Sequence, residues 1–262
     1  MSSSSPMGTY IYCIAHAEAF ANECAPFHAE AIGGSGHPLR ILRFGDLAAI
    51  VSDVPARRLN VKREYLMAHE AVIQEAMDQS DVIPLSFGTI AKNDEEVVEK
   101  LLQRSFDALR DQLEAVKGCV ELDLKVLWNQ GRLFQEIVAE NDRIRALRGA
   151  LATAPVNEQI ELGQLTSELI DSKSEQEAQE VLDELEPLTV EVKTNRPLTD
   201  MMALNAAFLV EKTRLEEFDK RVNDLAATEE GRLTFRYAGP VPPYHFVDLS
   251  VSWEGNADGV VE

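Results

Sequence analysis

Apolar and polar positions along this chain switch between a strand period and a helix period, and the switches mark out its elements. Residues 9–15 form a β-rich apolar run and predict a first strand. Residues 17–32 are rich in Ala and Glu and predict a helix broken at Pro26. Gly33-Gly34-Ser35-Gly36 predicts a loop. Residues 39–44 and 47–53 predict two short strands joined by a tight turn at Gly45-Asp46. Between residues 62 and 79, Leu66, Val72, Ile73, Ala76 and Met77 recur at helical spacing, and 82–87 predicts a fourth strand. Asp94 opens a further helix with Glu95 and Glu96 in its first turn. Its apolar stripe includes Val97, Leu101, Leu102, Phe106, Leu109, Leu113 and Val116, and Gly118 ends it.

The pattern then restarts. Val120, Leu122, Leu124, Val126 and Trp128 fall on one side of a strand, with Glu121, Asp123 and Lys125 on the other. Residues 132–185 predict a long helical region interrupted near Ala154-Pro155. Residues 188–193 and 201–210 predict strands, the second ambiguous because Met, Ala and Leu also favour helix. Residues 215–225 predict a helix and 232–237 the last strand. Both halves read β-α-β-β-α-β, which folds most simply as a four-stranded antiparallel sheet with two helices on one face. The expected class is α+β: two ferredoxin-like (βαββαβ) domains, the second with an enlarged helical-hairpin insertion. The first domain is expected over 9–117, with an extra C-terminal helix, and the second over 118–248, with a long acidic helical region. A disordered lead-in over 1–8 and a flexible tail over 249–262 flank them.

Composition narrows the class of partner. The 262 residues carry a formal net charge of −20, 45% hydrophobic and 27% charged positions. So acidic a surface repels phosphate backbones, which argues against nucleic acid and anionic lipid membrane as partners. From Asn157 to Pro187 there are ten acids against Lys173 alone, while Arg143, Arg145 and Arg148 cluster just upstream. Antiparallel packing of those helices would bring unlike charges together; the acidic face is then either solvated or a docking surface for a basic partner. Cys13, Cys24 and Cys119 are an odd set without metal-ligand spacing. The start of the chain is polar, and no run reaches the roughly 18 apolar residues of a membrane span. A cytoplasmic protein is expected.

Candidate chemistry is sparse. Walker, Gly-x-Gly-x-x-Gly, Gly-x-Ser-x-Gly and His-Glu-x-x-His motifs are missing from the sequence. His69-Glu70 could form an acid/base or metal pair, but neighbours on a helix project about 100° apart, so a core or surface role is the stronger reading for His69. Cys24 and His28 stand at i,i+4 spacing without a third, orienting group. No catalytic, cofactor or metal residues are assigned, and no enzymatic activity is expected. The densest signal is Gly239-Pro240-Val241-Pro242-Pro243-Tyr244-His245-Phe246-Val247. Proline fixes φ and lacks an N–H, so the ladder is expected to stop here and the chain to leave as a stiff, extended segment. Pro240, Pro242, Pro243, Tyr244 and Phe246 are the candidate interface or inter-domain clamp.

Val82-Ile83-Pro84-Leu85-Ser86-Phe87-Gly88-Thr89, Met202-Ala203-Leu204-Asn205-Ala206-Ala207-Phe208-Leu209-Val210 and the proline-aromatic segment together resemble the GvpF/GvpL family of gas vesicle proteins. Tyr10-Ile11-Tyr12-Cys13-Ile14 is similar to the family's opening strand. The chain departs from the family pattern at Ser86, where a basic residue is common, at Val241, where Trp is usual, and at His245, where Ser is usual. The resemblance implies a structural or accessory component that assists shell nucleation or assembly, without cofactor. It implies binding to the small hydrophobic shell protein and to other accessory vesicle proteins, and a place on the vesicle in the cytoplasm. It also picks out Pro84, Phe87, Gly88, Asn205 and Gly239 as structural motif residues. The runner-up reading is a small-molecule-binding regulator with its ligand site between two ferredoxin-like modules.

Overall fold

The computed structural model describes residues 7–20, 27–34, 36–55, 59–150 and 155–248, with the main chain only for 147–150. Expectations for Cys24, Pro26, Ser35, Ala154, residues 1–6 of the lead-in expected over 1–8 and the tail over 249–262 lie outside those residues, whereas Gly8 is not lead-in but the buried first residue of a strand. The chain forms two compact α+β units. One runs up to Val120 and includes the segment from Val241 onward; the other is Glu121–Pro240. Residues 241–248 thus group with the first unit, whereas the sequence pattern assigned them to the second.

In the first unit the apolar opening run becomes β1 (Gly8–His16), buried along nearly its whole length. It is followed by β2 (Arg40–Phe44), β3 (Leu47–Val54), α1 (Arg63–Met77), β4 (Val82–Pro84) and β5 (Ile90–Ala91). The sheet has the order β2-β3-β1-β4, with β5 also pairing with β1, and every pairing is antiparallel. β1 takes the centre because its residues are apolar on both faces, as a strand covered on both sides must be. One core cluster joins Ile11, Ile14, Leu47, Val51 and Ile83 to Leu101, Leu109 and Leu113.

The helix expected over 17–32 is not what the described residues show. Ala17–Phe20 is a single 3₁₀ turn and 27–32 is non-helical. Its backbone groups find other partners: His28 N and Ala29 N donate to the Glu75 carboxylate of α1 at 2.7 and 2.8 Å, and Ile32 N donates to Tyr12 Oη at 2.8 Å. Burial would raise the Glu75 carboxyl, but those hydrogen bonds hold it below its ordinary value. Tertiary partners here override the helical propensity of Ala and Glu. The helix expected from Asp94 is also divided. α2 (Asp94–Glu96), capped by the Asn93 side chain, widens into π-helical turns over Val97–Gln103 before α3 (Phe106–Ala115).

The second unit is built from β6 (Cys119–Trp128), α4 (Gln130–Glu140), α5 (Asp142–Ala150), α6 (Val156–Leu185), β7 (Glu191–Thr194), β8 (Met202–Glu211), α7 (Leu215–Thr228) and β9 (Leu233–Val241). Its sheet order is β7-β8-β6-β9. The ambiguous 201–210 segment is a strand. β8 is central and almost wholly buried, and it pairs antiparallel with β7 from Glu191↔Leu209 to Thr194↔Ala206. Leu124, Val126, Val181, Phe208, Phe218 and Val222 share one core cluster. The opposite charges of α5 and α6 meet at Arg143 and Glu161, which form an ion pair. β9 does not stop at the first proline but continues to Val241. It is an edge strand, where a missing N–H is tolerated because no strand lies beyond it among the described residues.

Candidate functional site

Tyr10 and Tyr12 of β1 lie together, with ring centroids 4.8 Å apart where the β1–β3 register shifts between Ile11 and Cys13, and both are wholly buried. A buried phenol must find a partner, and here each hydroxyl organises a loop. Gly88 N donates to Tyr10 Oη at 3.1 Å. Tyr10 Oη and His69 Nδ1 are 3.0 Å apart, and His69 Nε2 lies 3.0 Å from the Leu85 carbonyl. A carbonyl can only accept, so Nε2 carries the proton and Nδ1 accepts from Tyr10. Tyr12 Oη bonds Ser52 Oγ at 2.9 Å while accepting from Ile32 N. The Phe87 ring stands edge-on to His69 and Tyr10, at 5.8 and 6.1 Å between centroids.

Two backbone groups of the 82–89 motif, Leu85 C=O and Gly88 N–H, are therefore held by one Tyr–His relay. Gly88 has φ +90°, a conformation glycine adopts without strain, which lets its N–H turn toward Tyr10. Burial pushes the His69 imidazole down from 6.5 to about 4 and raises the Tyr10 phenol, so both are neutral near pH 7. An imidazole with both nitrogens engaged inside a core is a pin, with no free lone pair for proton transfer or a metal.

The proline-aromatic segment closes on the same unit. Pro242 and Pro243 are buried, Tyr244 and Phe246 are half-buried, and His245 is exposed. Tyr244 N donates to Pro242 O and Phe246 N to Pro243 O, which tightens the segment into turns. Tyr244 Oη donates to Glu70 Oε2 at 2.9 Å. Gln112 and Asp248 exchange two hydrogen bonds, at 2.9 and 3.2 Å, and Val247 packs on the core. His69 and Glu70 thus hold one motif each: the first points into the core and the second toward Tyr244, as successive helical residues do. Because the Tyr244–Glu70 bond is solvent-exposed, Tyr244→Phe should cost under about 1 kcal/mol, read as a small shift of the urea midpoint.

Pro84, Phe87, Gly88, Pro242, Pro243, Tyr244 and Phe246 all lie in the first unit, while Asn205, Gly239 and Pro240 lie in the second. Asn205 Nδ2 donates to Arg196 O and Asn205 O accepts from Asn195 N, fixing the turn that leads into β8. At Gly239, φ is +127°, and a Cβ would stand 2.8 Å from Leu122 Cδ2 and 2.9 Å from Glu121 O, so β9 can lie this close to β6 only without a side chain. Gln112 was not singled out from sequence, and Tyr10 and Glu70 were named there only in the opening-strand resemblance and as a possible acid/base or metal partner of His69, not as supports of these motifs. The available signal was two tyrosines inside an otherwise apolar strand, each with a hydroxyl in need of a partner.

The family model described as "Gas vesicle synthesis protein GvpL/GvpF" matches residues 8–248. Gas vesicle protein F of Streptomyces sp. (strain CB03234) is 30% identical over 245 residues, spanning 92% of this chain and 100% of that protein. Gas vesicle protein F1 of Halobacterium salinarum is 28% identical over 217 residues, spanning 81% and 83%. The crystal structure of GvpF from Anabaena sp. PCC7120 superposes with a TM-score of 0.80 at 26% identity, covering 93% of this chain and 99% of that one. GvpF from Microcystis aeruginosa gives a TM-score of 0.76 at 25% identity, covering 92% and 99%.

Proposed function

The chain belongs to the GvpL/GvpF family of gas vesicle synthesis proteins, and on that premise we propose that it is a non-enzymatic accessory of vesicle assembly that binds the small hydrophobic shell protein. The observation that carries this reading is the family match over residues 8–248, nearly the whole described chain. A shell subunit in water exposes apolar surface, and apolar surface in water drives aggregation. A partner with a formal net charge of −20 that covers part of that surface keeps the nascent shell dispersed while it nucleates. Other accessory vesicle proteins are further partners in this reading, and its place is the cytoplasm, in association with the gas vesicle. Among the described residues no helix is long and apolar enough to cross a membrane. We read the two units as ferredoxin-like domains, a reading supported by their common strand order, 2-3-1-4 within each sheet.

Pro240, Pro242, Pro243, Tyr244 and Phe246 are the proposed contact segment, and Pro84, Phe87 and Gly88 form a strand exit in the first unit. Co-purification with the shell protein through vesicle growth is the test, and association is the expected result. Absence of association in every growth phase would reject the reading. Tyr244→Ala combined with Phe246→Ala should weaken that association; unchanged association and unchanged stability would remove the segment from the interface.

A further inference from the structure

The second unit carries a cleft of about 920 Å³ between α6 and the turn that leads from β7 into β8. Ala178 and Leu182 of α6, with Met202 and Leu204 of β8, give it an apolar floor. On the turn, Leu198 stands 69% exposed at its edge. Asp171 and Glu175 line it from α6 and Asp200 lines it from the turn, against Arg196 as the cation of the lining. Other acids of α6 already hold cations: Glu161 pairs with Arg143, Glu177 with Arg232 and Glu184 with Arg221. Asp171, Glu175 and Asp200 have no such partner among the described residues. The cleft therefore joins an apolar floor and an exposed leucine to carboxylates left without counter-charges.

We propose that this cleft is a docking site for a basic amphipathic helical segment of a partner protein. The apolar face of such a segment lies on Leu182, Met202 and Leu198, and its lysines or arginines meet Asp171, Glu175 and Asp200. Size agrees: a helix about 10 Å across takes up roughly 420 Å³ per turn, so the cleft seats about two turns. Charge complementarity selects the partner's sign and sets a salt-dependent encounter, while the apolar floor supplies the burial. The inference does not depend on the shell protein being that partner.

The test uses the full chain and two labelled model peptides of about four turns each, one of Leu and Lys and one of Leu and Glu, both patterned as amphipathic helices. Fluorescence anisotropy should show the Leu/Lys peptide binding, more weakly as salt rises, and the Leu/Glu peptide not binding. Asp171→Lys with Glu175→Lys, and separately Leu198→Asp, should each weaken binding by about tenfold or more. Glu158→Lys with Glu168→Lys makes the same change in net charge on α6 outside the cleft, and should change it by less than about twofold. The altered side chains lie outside the core, so the variants keep the fold. No binding of the Leu/Lys peptide, or an equal loss in the control pair, would overturn the proposal.

Discussion

The wild-type protein should lose about 2 kcal/mol of unfolding free energy between about pH 7 and pH 5, and a His69→Gln variant should lose much less over the same window. The folded state holds the His69 imidazole at about 4, against 6.5 when unexposed to the core, chiefly through burial. In that window the unfolded chain binds a proton that the folded chain does not. Stability from this group is therefore complete above the unfolded value and is lost as pH falls from 6.5 toward 4. At 1.36 kcal/mol per pH unit the full loss is about 3 kcal/mol. Most of it comes before carboxylates begin to titrate, which makes the window clean. Gln offers N–H donors and a carbonyl acceptor but no titratable proton, so comparing urea unfolding curves of the two proteins at each pH isolates the imidazole. His69→Leu should cost about 3 kcal/mol even at pH 7, because it leaves Tyr10 Oη and the Leu85 carbonyl short of partners in the core. Parallel pH profiles for wild type and His69→Gln would show that the imidazole is not confined as the geometry requires.

That network also marks the limit of what the sequence made readable. Alternation at Val120–Trp128 and the helical spacing of Leu66 to Met77 are local signals, and β6 and α1 follow them closely. The proposed strand 201–210 was open to a helical reading because its local propensities conflict. Burial along β8 and its pairing with β7 settled it, and both depend on residues far away in the chain. The Ala- and Glu-rich 17–32 segment failed for the same reason in reverse: its backbone donors bond to Glu75 and Tyr12. Of the site, the motif residues were legible because glycine and proline restrict the backbone directly, as at Gly88 and Gly239. Their supports were not. Tyr10 meets His69 across 59 positions and Gly88 across 78, and Tyr244 meets Glu70 across 174. Periodicity says which face a side chain occupies but not which distant group waits there.

Arg232→Met should destabilise the second unit by about 3 kcal/mol, and Glu177→Gln added to it should restore about half of that or more. Arg232 sits just before β9, and its guanidinium reaches three carboxylates: Glu136 of α4 at 2.9 Å, Glu177 of α6 at 2.6 Å and Glu229 at 2.7 Å. It also lies 4.8 Å from the centroid of the Trp128 ring, whose Nε1 donates to Ser174 of α6. One side chain thus ties the helices of the enlarged region to the sheet. The decisive partner is Glu177, whose side chain is 6% exposed. Lys173 can still neutralise Glu136, 3.3 Å away, but among the described residues no other cation pairs with Glu177, so removing Arg232 strands a charge away from water. The expected loss is mainly that stranded charge and not the worth of the ion pairs themselves, which is why neutralising Glu177 recovers it. Arg232→Lys should also lose stability, because one ammonium cannot fork to three carboxylates and stack on an indole. An exposed pair sets the scale: breaking Lys220–Asp224 on α7, with side chains 77% and 51% exposed, should cost about 0.5 kcal/mol or less. Urea unfolding of these variants and of Glu177→Gln alone decides the matter. If Arg232→Met costs as much with Gln at position 177 as with Glu, the stranded-charge account is wrong, and packing of the guanidinium on Trp128 must carry the effect.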